Sequence, residues 1–235
     1  MNTANAADTF RSPRTRASTT AALACALSAM FLFSAGGCIA GAVGALGQQV
    51  ERGKKLDVPA EYDGLDGKTV AVVVQADYAT LVEHPLVVEN VTKNVAARIA
   101  RNVPKTSVLA PIQVLEWQYR TPQWRALPYG EVARELGVDR LIWIDLYEYR
   151  LNPIGNSYLW DGAAGANLGV IEADGLAPDE FVFQKNILAR FPEKEGIGRE
   201  SARREQIEQG LLTLFIQRSS WIFYRHIEDK YPDLN

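Results

Sequence analysis

Cysteine and histidine supply most nucleophilic and metal-binding chemistry, and this chain has two of each: Cys25, Cys38, His84 and His226. Both cysteines precede residue 39. The body of the chain therefore has no thiol for a disulfide framework, a cysteine-ligated zinc site or a Cys–His nucleophile pair. His84 stands before Pro85, which suits a helix first turn, and His226 falls at the end of an expected helix, where a cationic imidazole favours the dipole. Capping or surface roles are expected for both, because lone histidines are seldom catalytic. A G-x-S-x-G elbow, a G-x-G-x-x-G turn and a Walker A loop are all absent from the sequence, and "GAVGALG" (41 to 47), the nearest imitation, lacks a strand-to-helix setting. The loop "EGIGRES" (195 to 201) is either an anion wrap at a helix start or a solvated loop with Glu200 or Ser201 near the cap. No catalytic residue, metal-ligand set or cofactor is expected.

Carboxylates at strand ends can bind metal or move protons, which singles out Asp139, Asp145 and Glu148. Asp139 reads more simply as a turn residue where a strand begins. Asp145 shares a strand face with Trp143 and Tyr147, and that face is either a ligand groove or the layer beneath a helix. "LEWQYRTPQWRALPY" (115 to 129) is the most distinctive surface candidate. Its Trp117, Tyr119, Arg120, Trp124, Arg125 and Tyr129 are of the types enriched at binding hot spots. The segment either plugs one end of the sheet or contacts a partner.

The residues before the body are of another kind. Arg11, Arg14 and Arg16 precede a stretch from Ala17 to Val50 with no charged residue. Its apolar core, "AALACALSAMFLF" (21 to 33), is shorter than the roughly 20 residues that span a bilayer. Small residues follow, and then Cys38. Ala35-Gly36-Gly37-Cys38 resembles the lipobox of bacterial lipoprotein signal peptides, with Ala35 where that family more often has leucine. The resemblance implies diacylglycerol on the Cys38 thiol and cleavage between Gly37 and Cys38. The alternative is an uncleaved anchor over residues 21 to 46, since "IAGAVGALG" is also apolar. Both alternatives export the body and hold it at a membrane. Ile39, which is not the aspartate associated with inner-membrane retention, favours the outer membrane, with the domain on the periplasmic face.

The net charge is −3, with both signs interspersed, so no nucleic-acid partner is expected. Removing residues 1 to 37 takes three arginines and Asp8 from the 25 basic and 28 acidic residues and leaves −5.

The chemistry-bearing residues must be positioned by a body that starts at "KTVAVVVQA", a β-branched run fit for a strand covered on both faces. Residues 39 to 67 before it read as a tether in which little can pack. The four-residue recurrence of Val87, Val91, Val95, Ile99 and Val103 predicts a helix over 85–102. A short buried strand at 106–110, a helix from Pro111 through Trp117 and another over 128–137, stopped by Gly137, come next. "VDRLIWIDLYEYRL" (138 to 151) is the strongest strand, with Leu141, Trp143, Asp145, Tyr147 and Tyr149 expected on one face. Strands over 157–173 and 181–191 form a hairpin, and the clearest helix runs from 200 to 227.

This order predicts a mixed α/β fold: a partly parallel sheet with a long β-hairpin, flanked by helices as a two-layer or three-layer sandwich. The expected divisions are a signal peptide (1–37), a lipidated cysteine with a flexible tether (38–66) and a single α/β domain (67–230). "YDGLDGKTVAVVV", "VARELGVDRLIWIDLYEYRL", "GAAGANLGVIEADG" and "FVFQKNILARFP" resemble the corresponding parts of a group of envelope proteins. That group includes the amino-terminal domain of the Tol-system periplasmic protein, the curli-secretion lipoprotein and the lipoproteins that activate penicillin-binding proteins. The resemblance covers about residues 62 to 225 and brings no catalytic residue. It implies this fold and an envelope setting. The leading expectation is a non-catalytic lipoprotein, held to the membrane through lipid on Cys38, that binds another envelope component, protein or glycan, in assembly, secretion or cell-wall regulation. The alternatives are an oligomeric secretion subunit, which would be a homo-oligomer, and an envelope hydrolase.

Overall fold

The computed structural model describes residues 55–193 and 196–229. Cys25, Gly37 and Cys38, with the leader and the tether up to residue 54, lie outside the described residues. The chain divides into two units: Asp57–Glu228 is one, and of the other only Lys55, Leu56 and Asp229 are described. The chain runs β1 (Lys55–Val58), β2 (Thr69–Ala76), α1 (Tyr78–Glu83), α2 (Val87–Asn102), β3 (Ser107–Val108) and α3 (Pro111–Arg120). After a 3-10 turn at Trp124–Ala126 come α4 (Tyr129–Leu136), β4 (Arg140–Arg150), β5 (Leu159–Trp160), β6 (Gly162–Glu172), β7 (Phe181–Phe191) and β8 (Ile197–Gly198). A second 3-10 turn, Arg199–Ser201, leads to α5 (Arg204–Trp221) and β9 (His226–Asp229). Among the described residues, no helix is long and apolar enough to cross a membrane.

The fold is mixed α/β, with a five-stranded sheet in the order β3-β2-β4-β6-β7. β2 runs parallel to β3 and β4, whereas β4, β6 and β7 are antiparallel neighbours. Residues 70–74 of β2 are all buried, because helices cover both faces of the sheet and a strand so placed gains from being apolar throughout. On one face Val91, Val95 and Ile99 of α2 and Ile207, Leu211 and Phe215 of α5 pack over Val72, Ile144 and Leu168. On the other, Val114 of α3 and Val132 and Ala133 of α4 pack with Trp124 over Val73, Leu141 and Trp143. The sandwich therefore has three layers. α4 ends at Gly137, whose φ of +67° gives the left-handed cap that turns the chain into β4.

Hydrogen bonds lock the sheet's start. Asp139 Oδ2 accepts from the Thr69 backbone N–H at 2.9 Å and from the Thr69 hydroxyl at 2.8 Å, which fixes the parallel register of β2 and β4. These donors, the backbone N–H first, hold the Asp139 carboxyl below the usual carboxylate range. Next to it the Arg140 guanidinium, with a side chain only 8% exposed, donates to Gly64 O at 3.1 Å and Asp139 O at 2.9 Å and pairs with Asp174. Glu172, 3.6 Å from Arg140 Nε, accepts the Tyr62 hydroxyl at 2.8 Å. Burial first, and then this bond to Glu172, pushes the Tyr62 hydroxyl above the usual tyrosine range.

Several expectations are corrected here. The segment read as a tether with little to pack supplies Leu65, fully buried, and Tyr62, whose ring meets Phe183 and Phe223. The alternation along β4 breaks at a bulge between Leu146 and Glu148, which moves Tyr149 to the face of Ile142 and Ile144, against expectation. β3 lies at the sheet edge, exposed at Ser107 and half-buried at Val108. The strand expected over 157–173 is two strands, and β5 pairs instead with β8, inside what reads as a loop. The last helix starts at Arg204, where the Gln206 side chain accepts the Arg203 backbone N–H at 2.9 Å, and it ends at Trp221. His226 thus lies in β9, its ring stacked on Trp221 at 4.4 Å. His84 is in the core, 3% exposed, with Nδ1 3.2 Å from Glu208 Oε1 and its ring edge-on to Tyr149. α1, invisible to the apolar pattern, delivers it there.

Candidate functional site

α3 and α4 cover only part of their face of the sheet. Beyond them β2, β4, β6 and β7 present a run of polar side chains whose positions follow from the register. Gln75 pairs with Asp145, Asp145 with Asn167, and Asn167 with Asn186. Directly paired residues on neighbouring strands share a face, so the four make one row across four strands, roughly 14 Å long at about 4.8 Å per strand. The adjacent row is Val73, Trp143, Gly169 and Gln184.

Around these residues is a cavity of about 390 Å³, lined by Gln75, Asp145, Asn167, Gln184 and Asn186 on the polar side and by Tyr129, Trp143 and Phe181 on the aromatic side. The aromatic wall is a packed group: Tyr129 meets Trp143 at 5.0 Å and Phe181 at 4.7 Å between ring centres, and Trp124 meets Trp143 from behind at 5.2 Å. Glycines make room for neighbouring rings. A Cβ on Gly169 would lie 2.3 Å from the Phe181 ring, and one on Gly165 would lie 2.6 Å from the Tyr147 ring. Two aromatic rings can therefore lie against bare backbone at either side of Asn167. The Asn186 amide bonds Asn167 Oδ1 at 3.0 Å and the Tyr147 hydroxyl oxygen at 2.9 Å, so one end of the row is preset. Among the described residues, no hydrogen bond or ion pair engages the side chains of Gln75, Asp145 or Gln184. Lys185, which shares the face of its paired residue Leu168 rather than that of the row, pairs with Glu61.

The hot-spot segment is divided. Trp124 is buried at 7% exposure, Trp117 packs half-buried against it with Nε1 donating to Glu135 at 2.8 Å, and Tyr129 belongs to the cleft wall. Arg125 donates to Ala76 O at 2.9 Å and its guanidinium stands 5.4 Å from the Trp124 ring centre. Tyr119, 88% exposed, and Arg120, whose nearest ion-pair partner is Glu116 of the same helix, point outward, and Arg125 is exposed as well.

No protein-family model matches the chain, and no curated protein matches it in sequence. Solved structures are similar at low scores. The lipoprotein GNA1162 from Neisseria meningitidis is similar at 11% identity and a TM-score of 0.42, over 63% of this chain and 96% of that one. The PelC dodecamer from Paraburkholderia phytofirmans is similar at 12% identity and a TM-score of 0.42, over 74% and 99%. The LpoB C-terminal domain from Salmonella enterica is similar at 13% identity and a TM-score of 0.34, over 55% and 87%. At these scores and identities the likenesses assign no function.

The residues the sequence reading missed are Gln75, Asn167, Gln184 and Asn186. Each is a polar residue inside a strand-forming run, and Asn167 interrupts "GAAGANLGVIE". That interruption was a visible signal. Its meaning depends on the register across four strands, which local pattern does not carry.

Proposed function

We propose that this chain is a non-catalytic, membrane-tethered envelope lipoprotein, lipidated on the Cys38 thiol and cleaved between Gly37 and Cys38, whose α/β domain binds another envelope component. The observation that supports binding is the half-face left open by α3 and α4, with its row of hydrogen-bonding side chains beside an aromatic wall. A polar row on a packed sheet is preorganised, because strands rather than loops set the spacing. Anchoring at Cys38 adds local concentration, since it confines the domain to one membrane surface. Two measurements test this. Cys38→Ser abolishes fatty-acid labelling and leaves the leader uncleaved; continued processing rejects the lipoprotein reading. A photo-crosslinking residue at position 188, exposed beside the row on β7, forms adducts in cells and one at position 119 does not; the reverse pattern moves binding to the segment at 115–129.

A second reading, an oligomeric secretion subunit, is favoured by β7. It is the outer strand of the sheet and exposes Val182 and Leu188. Sedimentation of the full chain in a zwitterionic detergent decides it: a single-chain mass removes this reading, and a multiple that Val182→Lys with Leu188→Lys breaks down supports it.

A further inference from the structure

We infer that the cleft between the polar row and the aromatic wall takes an uncharged oligosaccharide, an assignment that rests on the reading of this domain as a binder at its open face. The lining decides the chemistry. Gln75, Asn167, Gln184 and Asn186 are amides, each able to donate and accept, and Asp145 is a carboxylate able to accept from two neighbouring hydroxyls. A pyranose presents hydroxyls that both donate and accept around its rim and C–H groups on its faces. The rim meets the row, and one face meets the half-buried rings of Tyr129 and Phe181, with Trp143, 5% exposed, packed beneath Tyr129. The cavity, about 390 Å³, is of the size that holds a small ligand.

Charge excludes the competing small ligands. A phosphate or carboxylate would lie beside Asp145, and the one lysine in the lining is committed to Glu61. An extended peptide is disfavoured on different grounds. Peptides are read by main-chain pairing at a sheet edge or by apolar side chains in a groove, whereas this row lies on the sheet face and consists of amide side chains and one carboxylate. The preset end supports the same ligand class: Asn186 is held by Asn167 and Tyr147, while Gln75, Asp145 and Gln184 keep bonding capacity for a ligand.

The test uses the full acylated chain in zwitterionic detergent, because sugar-headed detergents would compete. N-acetylchitotetraose, cellotetraose and maltotetraose are titrated separately while tryptophan fluorescence is followed, since Trp143 forms part of the wall. At least one gives a saturable change. Asp145→Asn and Gln184→Ala each weaken that binding about tenfold or more, with thermal unfolding unshifted, and Tyr119→Ala binds as the unaltered chain does. The assignment is overturned if none of the three saturates by about 10 mM, a concentration at which millimolar ligands register, or if both cleft variants bind unchanged. Crosslinking at position 188, exposed beside the row on the same strand face, separates this failure from failure of the binder reading: adducts without saccharide binding reject the ligand class alone, and the loss of both rejects the binding face.

Discussion

Arg140 sits where the most charge is buried, and its loss should cost more than that of any surface ion pair. Its side chain is 8% exposed while Glu172 and Asp174 keep 29% and 40% exposure, so removing it strands two acids beside a buried gap. Breaking a buried pair typically costs about 3–5 kcal/mol, and the exposure of the partners puts Arg140→Ala at the lower end, about 3 kcal/mol, measured by urea unfolding. Tyr62→Phe removes one hydrogen bond of the same network and should cost about 1 kcal/mol. The acids of this region also fix a pH dependence. Asp139 and Asp174 have folded-state pKa values below the ordinary range, through bonds from Thr69 in one case and from Lys68 and Arg140 in the other. A depressed acid contributes stability that is complete above its unfolded value, about 3.9, and is lost as pH falls through its folded value. The unfolding midpoint should be level above about pH 5 and decline below about pH 4, and Asp139→Asn with Asp174→Asn should flatten that decline.

Elements explain which parts of this architecture were legible beforehand. β2, β7 and α2 stand close to where apolar pattern puts them, because each is a regular run bounded by glycine, proline or acidic residues. The bulge in β4 was not legible: Tyr147 is an ordinary strand residue, and only the register, in which Gly165 pairs with Glu148 and leaves Tyr147 unpaired with its ring over Gly165, shows why Tyr149 then faces the other core. α1 escaped for a related reason. It is short, and its tie is Asp77 Oδ1 accepting the Thr80 N–H at 2.7 Å rather than an apolar stripe. Half of the binding face was likewise hidden, since Asp145 and Trp143 could be paired by alternation on one strand, whereas Asn167, Gln184 and Asn186 join them only by register. Gly169 tests the element-level account. An added methyl would meet the Phe181 ring at 2.3 Å, so Gly169→Ala should cost about 1–3 kcal/mol, as overpacking does. Phe181→Ala in the same chain should relieve part of that cost, giving a coupling in the double-mutant cycle that an unrelated pair would lack.

Taken whole, the unit from Asp57 to Glu228 has two apolar layers that share one sheet, and this predicts how it unfolds. Leu211 of α5 and Val132 of α4 are both fully buried, but on opposite faces. If the layers were independent, each substitution would shift its own transition. β2 and β4 contribute side chains to both layers, Val72 and Ile144 to one and Val73 and Trp143 to the other, so neither layer can lose its strands without exposing the second. Leu211→Ala should lower stability by about 2–5 kcal/mol and Val132→Ala by a smaller amount, because fewer buried methyl groups are lost. Both should shift the same urea transition with an unchanged slope. Circular dichroism, which reports the helices of both layers, and tryptophan fluorescence, weighted towards Trp117, Trp124 and Trp143 on the α3–α4 side, should then trace one curve. Separate curves would show that the α3–α4 layer opens by itself, and the aromatic wall of the cleft would open with it, since Tyr129 and Trp143 hold that layer to the sheet.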